Sequence, residues 1–300
     1  MLVTGASGSV GRRLVRLLAA EGHEVVAVVR PGKPLPSEGR NVRFVEQDLS
    51  SRWPGPSTPP FDSVVYLAQS ARYREFPDSG PEMVAVGVDS VVRTADLAVR
   101  ASATQFVFAS TGSIYAPSFS PLREDSTIAP VRFYARSKAS AELLLGGYRD
   151  LLEVKIVRPF FIYGEGQSER MALPGMVRKV VAGQPLYLEA APGESSRTDG
   201  LRFSPIHAND AAACVRRLLD VRGHATLNLA GDEVVSVREV GEMIGDLTQR
   251  RPRFETATNT RDGDLVVDNS ALHRTVGEFS WTCLRDGLRA VVAEIRKETS

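Results

Sequence analysis

Two side chains four residues apart, Tyr134 and Lys138 in the run Tyr-Ala-Arg-Ser-Lys, carry the most distinctive chemistry in this chain. The run reads as the opening of a helix, where that spacing puts both on one face. A phenol with an ordinary pKa of about 10 is a poor base at neutral pH. A neighbouring ammonium favours the phenolate and brings the phenol toward a working range for proton transfer. Pairs of this spacing also arise by chance on helix surfaces, so the surroundings must carry the assignment. Upstream, Phe-Val-Phe-Ala-Ser-Thr-Gly-Ser places Ser110, Thr111 and Ser113 at or just past the carboxyl end of a strand. Ligands in open α/β sheets bind at that edge. A hydroxyl there can hold a substrate oxygen while Tyr134 exchanges its proton, whereas Ser113 reads as a plain strand-end hydrogen-bonding group.

A second signal opens the chain. Gly5, Gly8 and Gly11 in Thr-Gly-Ala-Ser-Gly-Ser-Val-Gly lie between an apolar strand and an amphipathic helix. Glycine permits the tight turn and lets the backbone approach a diphosphate. The helix that follows points its unpaired N–H groups and positive dipole end at the same place. Glycine spacing alone is weak; the correct flanking elements make it a dinucleotide turn. An oxidised nicotinamide held there would add to the charge that favours the Tyr134 phenolate.

The end of the second strand bears on which dinucleotide is bound. An acidic residue there would hold a ribose 2′-hydroxyl. This chain has Arg30, with Lys33 close behind and no carboxylate until Glu38. A guanidinium suits a 2′-phosphate, so NADP(H) is expected ahead of NAD(H), with a solvated arginine as the alternative. Asp48, closing the third strand, suits an adenine amino group and equally suits a strand-end cap.

The elements that must position these groups alternate as strand and helix. Strands are read at residues 1–3, 24–30, 41–49, 63–68, 105–111 and 154–159, most of them nearly continuous in hydrophobicity, as in a sheet covered on both faces. Helices are read near 83–101 and 134–150, after the first one. The alternation predicts an α/β fold, a Rossmann-type doubly wound parallel sheet with a smaller C-terminal substrate-binding lobe. The dinucleotide-binding domain is assigned to residues 1–164, with return segments near 204–231, and the lobe mainly to 165–300. Residues 51–60 read as a surface connection and 190–200 as an exposed loop. A strand at 225–231 and two helices complete the chain.

Composition excludes several classes. The 300 residues carry 37 Lys+Arg against 36 Asp+Glu, a net charge of +1 that gives no reason to expect nucleic acid or an anionic membrane as partner. Cys214 and Cys283 lack metal-site spacing, Cys214 reads as a core residue, and no metal is expected. No apolar run approaches the roughly 20 residues of a membrane span. The first residues read as strand and phosphate loop, not as a signal peptide, so a cytoplasmic location is expected. Met1 stands only four residues before Gly5, which fits either a start upstream or a trimmed strand.

The glycine turn, the strand-end hydroxyls and Tyr-Ala-Arg-Ser-Lys, in this order, resemble the extended short-chain dehydrogenase/reductase family, the NAD-dependent epimerase/dehydratases. Val-Val-Tyr-Leu-Ala-Gln-Ser-Ala resembles its strand-four cofactor segment, Arg158–Gly166 its Arg-Pro motif, and Phe203–Ala212 its later His-x-x-Asp segment. The resemblance implies Thr111, Tyr134 and Lys138 as the catalytic set. It also implies a cofactor site of Gly5, Ser7, Gly8, Val10, Gly11, Arg30, Asp48, Leu49, Leu67, Ala68, Tyr134, Lys138, Pro159 and Phe160. The nicotinamide ribose would lie near Lys138 and the ring near Pro159-Phe160. His207 and Asp210 resemble residues that link the lobes, and the fourth helix with the Tyr134-bearing one implies a homodimer. Two positions depart from the pattern. Gly87 stands where the family commonly has Asn, which implies a different backbone support behind the site. Phe161 stands where many nucleotide-sugar members have Asn, which points to a more apolar or different substrate.

Three readings follow for a small-molecule substrate. In the first, an NADP(H)-dependent ketoreductase or alcohol dehydrogenase uses Tyr134 as acid/base and Thr111 to orient the oxygen. In the second, a nucleotide-sugar epimerase or dehydratase uses the same residues with tightly bound NAD. In the third, a dinucleotide-sensing protein keeps the fold without turnover.

Overall fold

The computed structural model describes residues 1–32, 39–53, 55, 61–194 and 198–299. In chain order the elements are β1 (Leu2–Thr4), α1 (Ser9–Ala20), β2 (Val25–Val29), β3 (Val42–Glu46), β4 (Ser63–Tyr66), α2 (Gly80–Val84), α3 (Ser90–Arg100), β5 (Gln105–Ala109), α4 (Phe133–Leu145) and β6 (Glu153–Pro159). They continue with β7 (Ile162–Tyr163), α5 (Ala172–Val181), β8 (Pro185–Ala190), β9 (Arg202–Phe203), β10 (Ile206–His207), α6 (Ala208–Leu218) and β11 (Ala225–Leu229). The last are β12 (Val235–Ser236), α7 (Val237–Thr248), β13 (Arg253–Thr260), α8 (Ser270–Val276) and α9 (Leu284–Thr299).

Seven strands form one sheet in the order β11-β6-β5-β4-β1-β2-β3. From β3 to β6 every ladder is parallel. The chain therefore winds outward from β1 in both directions. The switch between β1 and β4 opens a crevice at their carboxyl ends, where such sheets take ligands. The doubly wound α/β sheet expected from the sequence is present.

Two compact units divide the chain. The first comprises 1–116, 127–159 and 212–227, and the second 117–126, 160–211 and 228–300. In the first unit, β2 is Val-Val-Ala-Val-Val, whose branched side chains suit a sheet interior. Helix α1 buries Gly11, Leu14, Val15 and Leu18, a stripe at helical spacing. Val64, Tyr66, Val91, Ala95, Ala98, Phe106 and Phe108 form part of one core cluster.

Between α2 and α3 the segment Ala85–Asp89 is a π-turn, so the helix read near 83–101 is helical throughout but interrupted in phase. Its support comes from Tyr66, wholly buried, whose hydroxyl donates to the Val86 carbonyl at 2.6 Å. Gly87 lies beneath Ser137, and a Cβ added there would stand 3.4 Å from Ser137 Oγ.

The second unit has its own core, including Leu173, Val177, Phe203, Val240, Ile244, Leu288 and Val291. A capping box opens α7: Ser236 Oγ accepts from the Glu239 N–H, and the Glu239 carboxylate accepts from the Ser236 N–H. Strand β13 pairs in parallel with β8. Sequence patterning does not announce it, because its eight residues are mostly polar and exposed. The loop expected at 190–200 is tied down at both described sides. The Glu194 carboxylate accepts from the Ala191 N–H at 2.7 Å, from the Thr198 hydroxyl at 2.9 Å and from Arg261 at 2.9 Å.

Candidate active site

The glycine turn is built for close approach. Gly5 has φ +66, in the left-handed region that favours glycine. A Cβ there would sit 2.8 Å from the Ala68 nitrogen and the Leu67 carbonyl carbon. At Gly11 a Cβ would lie 2.2 Å from the Gly5 carbonyl oxygen. Gly8 caps α1, and no side chain bonds that helix end. The result is a bare helix N-terminus with half-exposed Ser7 and Val10 beside it, a cradle that fits a dinucleotide diphosphate.

Other residues expected around a dinucleotide are placed as follows. Ala68 is buried, its N–H donating to Thr4 Oγ1 at 3.3 Å, and Leu67 is half-buried. Arg30 follows β2 with its side chain exposed; Lys33 and Glu38 lie outside the described residues. Asp48 is exposed, and its Oδ1 accepts from both the Ser50 N–H at 2.9 Å and the Ser50 hydroxyl at 2.7 Å, so one oxygen serves a local turn. Leu49 is buried next to it. Pro159 ends β6, while Phe160 begins the second unit, buried, with its N–H on the Leu229 carbonyl.

At the carboxyl end of β5, Thr111 is buried and its Oγ1 accepts from the Ser113 N–H at 3.2 Å. Ser113 itself is exposed, and Ser110 is buried with a hydroxyl that finds no partner among the described residues. Helix α4 places Tyr134 in its first turn. Burial pushes the Tyr134 phenol upward, a hydrogen bond with Thr111 pulls the other way, and Tyr73 adds to the rise. The Tyr73 and Tyr134 rings lie 5.1 Å apart. Lys138 is buried one turn further on. Its Nζ donates to the Ala109 carbonyl at 2.7 Å and lies 4.7 Å from the Phe108 ring centroid. Burial brings its pKa down to about 7, opposed by Glu142. Thr111 acts on the Tyr134 phenol by lowering its pKa, while the Lys138 ammonium is held by backbone and ring.

Two residues of this cluster escape a reading by motif. Gln69 Oε1 accepts from the Tyr134 hydroxyl at 3.0 Å, and Tyr73 packs on the same phenol. The available signal was a polar residue one position beyond Leu67-Ala68, at the sheet edge where ligands bind. Behind the cluster, Arg158 makes a two-pronged bond to Glu142, at 3.2 and 2.7 Å, and donates to the Tyr115 hydroxyl at 2.7 Å. This ties α4 to β6.

In the second unit, Phe161 has φ +30 and packs on Phe203 with the rings tilted and centroids 4.4 Å apart. His207 Nε2 lies 3.4 Å from Glu165, and Asp210 accepts from the Thr282 N–H and hydroxyl at 2.8 and 3.0 Å. Arg202 starts β9 with its side chain exposed and its N–H on Asp264 Oδ1. No group of His, Cys, Asp and Glu among the described residues could hold a metal ion.

A glycine turn at the β1–β4 switch, with hydroxyl, phenol and lysine on neighbouring strand and helix ends, is the arrangement expected of an extended short-chain dehydrogenase/reductase. The chain belongs to the NAD dependent epimerase/dehydratase family, whose model matches residues 1–230. It is similar to a dTDP-4-dehydro-6-deoxy-D-allose reductase from Streptomyces sp, at 28% identity over 96% of this chain and 93% of that one. A UDP-glucuronate 4-epimerase from Thermodesulfobacterium geofontis is 23% identical over 97% of this chain and 94% of that one. Among solved structures, MoeE5 in complex with UDP-glucose and NAD superposes with a TM-score of 0.82 at 28% identity, covering 100% of this chain and 99% of that one.

Proposed function

We propose that this enzyme is a reductase that interconverts a ketone and an alcohol on a small-molecule substrate, with Tyr134 as the proton-transfer group. The observation that carries the reading is the convergence at the carboxyl edge of the sheet of Thr111, just past β5, with Tyr134, whose hydroxyl bonds Gln69 just past β4 at 3.0 Å, and Lys138, whose Nζ bonds the Ala109 carbonyl at 2.7 Å. Thr111 orients the substrate oxygen, Tyr134 gives it a proton or takes one from it, and Lys138 holds the ribose side of the cofactor. Gly5, Ser7, Gly8, Val10 and Gly11 take the diphosphate, and Asp48, Leu49, Leu67, Ala68, Pro159 and Phe160 line the rest of the dinucleotide site. When bound, the nicotinamide supplies or accepts the hydride. The C-terminal lobe is read as substrate-binding, and the tilted Phe161–Phe203 pair favours an apolar or non-nucleotide group.

The second reading, a nucleotide-sugar epimerase or dehydratase, has support in relatives that act on or bind such sugars along their whole length. The choice of dinucleotide separates the two. With Arg30 unopposed by a described carboxylate, NADP(H) is preferred in our reading. Freshly purified protein is denatured, any released dinucleotide identified, and the emptied protein titrated with NADPH and NADH. An empty protein that prefers NADPH supports the reductase. Arg30→Ala should then cost roughly 10- to 100-fold in NADPH affinity and little in NADH affinity, the scale of one charge-assisted contact. Stoichiometric NAD surviving purification would instead establish the epimerase or dehydratase reading.

The enzyme is further proposed to be cytoplasmic and homodimeric. Among the described residues no helix is long and apolar enough to cross a membrane. Val84 on α2 and Leu143 and Leu144 on α4 are exposed, Leu143 by 81%, a patch that a second copy would cover. Sedimentation should show a dimer, and Leu143→Glu combined with Leu144→Glu should give a monomer; a wild-type monomer refutes the proposal.

A further inference from the structure

The partner of the Tyr134 hydroxyl is a neutral amide. Gln69 lies just beyond β4, half-buried, and its Oε1 accepts from the phenol at 3.0 Å. Its Nε2 makes no hydrogen bond among the described residues. A phenol has one proton to donate, and an amide carbonyl can only accept it. Ionising Tyr134 in this geometry breaks the bond and sets a phenolate oxygen 3.0 Å from the negative end of the amide carbonyl dipole. A hydrogen bond made to the neutral form of an acid disfavours its ionisation.

We propose that Gln69 is a positioning residue that keeps Tyr134 as a neutral proton donor and so biases the site toward carbonyl reduction. The inference rests on the reading of Tyr134 as the proton-transfer group. In reduction the carbonyl carbon would take a hydride from the reduced nicotinamide, which is thereby oxidised, while the Tyr134 O–H bond breaks and its proton passes to the substrate oxygen; the phenolate regains a proton from solvent. Reduction therefore starts from the form that Gln69 stabilises. Oxidation starts from the phenolate, and Gln69 opposes it.

Burial of the ring and the neighbouring Tyr73 also favour the neutral phenol, so what Gln69 contributes is read only by changing Gln69 itself. Lys138, on the same helix, is bonded to the Ala109 carbonyl and as a cation favours the phenolate. Thr111 also pulls the phenol down. Tyr73, from the segment after β4, lies against the ring with the Arg74 guanidinium 5.2 Å from its own ring centroid. On α2, Glu82 accepts from the Ser70 hydroxyl at 2.6 Å and lies 4.0 Å from Arg72.

The test is a tyrosinate absorbance titration of the NADP⁺-loaded protein, each spectrum referenced to the matching Tyr134→Phe protein. Gln69→Leu removes the acceptor at similar volume, and the Tyr134 midpoint should fall by about one pH unit, the scale of one hydrogen bond. Gln69→Glu keeps an acceptor and adds negative charge, so the midpoint should rise. Opposite shifts from one position are the expected signature, since a purely structural role would move both variants alike or neither. If Gln69→Leu leaves the midpoint unmoved or raises it, the amide donates to the phenol oxygen or does not bear on it, and the proposal is wrong. Should Gln69→Leu not fold, as judged by far-ultraviolet circular dichroism, Gln69→Met removes the same acceptor. The titration reads the phenol and not turnover. It can therefore fail while Tyr134 remains catalytic, and it can succeed even where Tyr134→Phe keeps its turnover.

Discussion

Replacement of Tyr134 by phenylalanine is expected to lower turnover by roughly 10²- to 10⁴-fold, the usual contribution of one positioned acid/base group. The ring is retained, so its packing against Tyr73 and the helix start are preserved. Dinucleotide affinity should fall far less than turnover, because the cradle at Gly5, Gly8 and Gly11 is untouched. Turnover is followed as NADPH oxidation across ketones and 4-keto nucleotide sugars, and as epimerisation of UDP-glucose, with binding measured separately by calorimetry. A variant that keeps more than about a tenth of wild-type turnover would remove Tyr134 from the chemistry. A wild-type protein inert on every substrate but binding dinucleotide tightly would favour the sensing role instead.

The second large effect is expected behind the site. Arg158 and Glu142 are an ion pair whose side chains are only 6% and 9% exposed. Removing one partner takes the counter-charge from the other in a buried setting, which typically costs about 3–5 kcal/mol. Glu142→Leu should therefore lower Tm by roughly ten degrees. The same α4 carries Tyr134 and Lys138, so turnover should fall even in molecules that remain folded. Glu142→Leu combined with Arg158→Met should recover much of the stability, because two apolar groups of similar volume leave no orphan charge. A double variant no more stable than Glu142→Leu would mean that the pair acts mainly through geometry. Thermal unfolding by calorimetry distinguishes these outcomes.

Much of this architecture was legible in the residues. The glycine turn, the apolar strands and the amphipathic helices are local patterns, and local patterns can be read along the chain. Thr111 and Tyr134 could be placed at one edge because a strand end and a helix start each announce themselves. Gln69 could not, since its role depends on a contact across 65 residues and glutamine has no characteristic motif. Strand β13 was hidden for the opposite reason: its polar, exposed side chains carry no two-fold hydrophobic alternation, and pairing with β8 alone makes it a strand. The support for the 85–89 segment was also missed. The departure at Gly87 was visible, but the hydroxyl of Tyr66 that holds the Val86 carbonyl comes from another strand. Asp48 showed both of its readings in advance, and the Ser50 bonds to it are of the local kind.

The π-turn at Ala85–Asp89 has a consequence for how this chain can change over generations. A π-turn contains one residue more than the α-helical turn it replaces, and each residue advances a helix by about 100°. Everything beyond it, including the Val91, Ala95 and Ala98 stripe that packs on the sheet, is rotated by that one step. A Cβ added at Gly87 would meet Ser137 Oγ at 3.4 Å and Ser137 Cβ at 3.9 Å, ordinary van der Waals contact. Loss of any single residue between 85 and 89 would restore a regular helix and swing the whole stripe off the core. This stretch can drift in letter far more freely than in length, and descendants of the chain should show replacements there but almost no deletions.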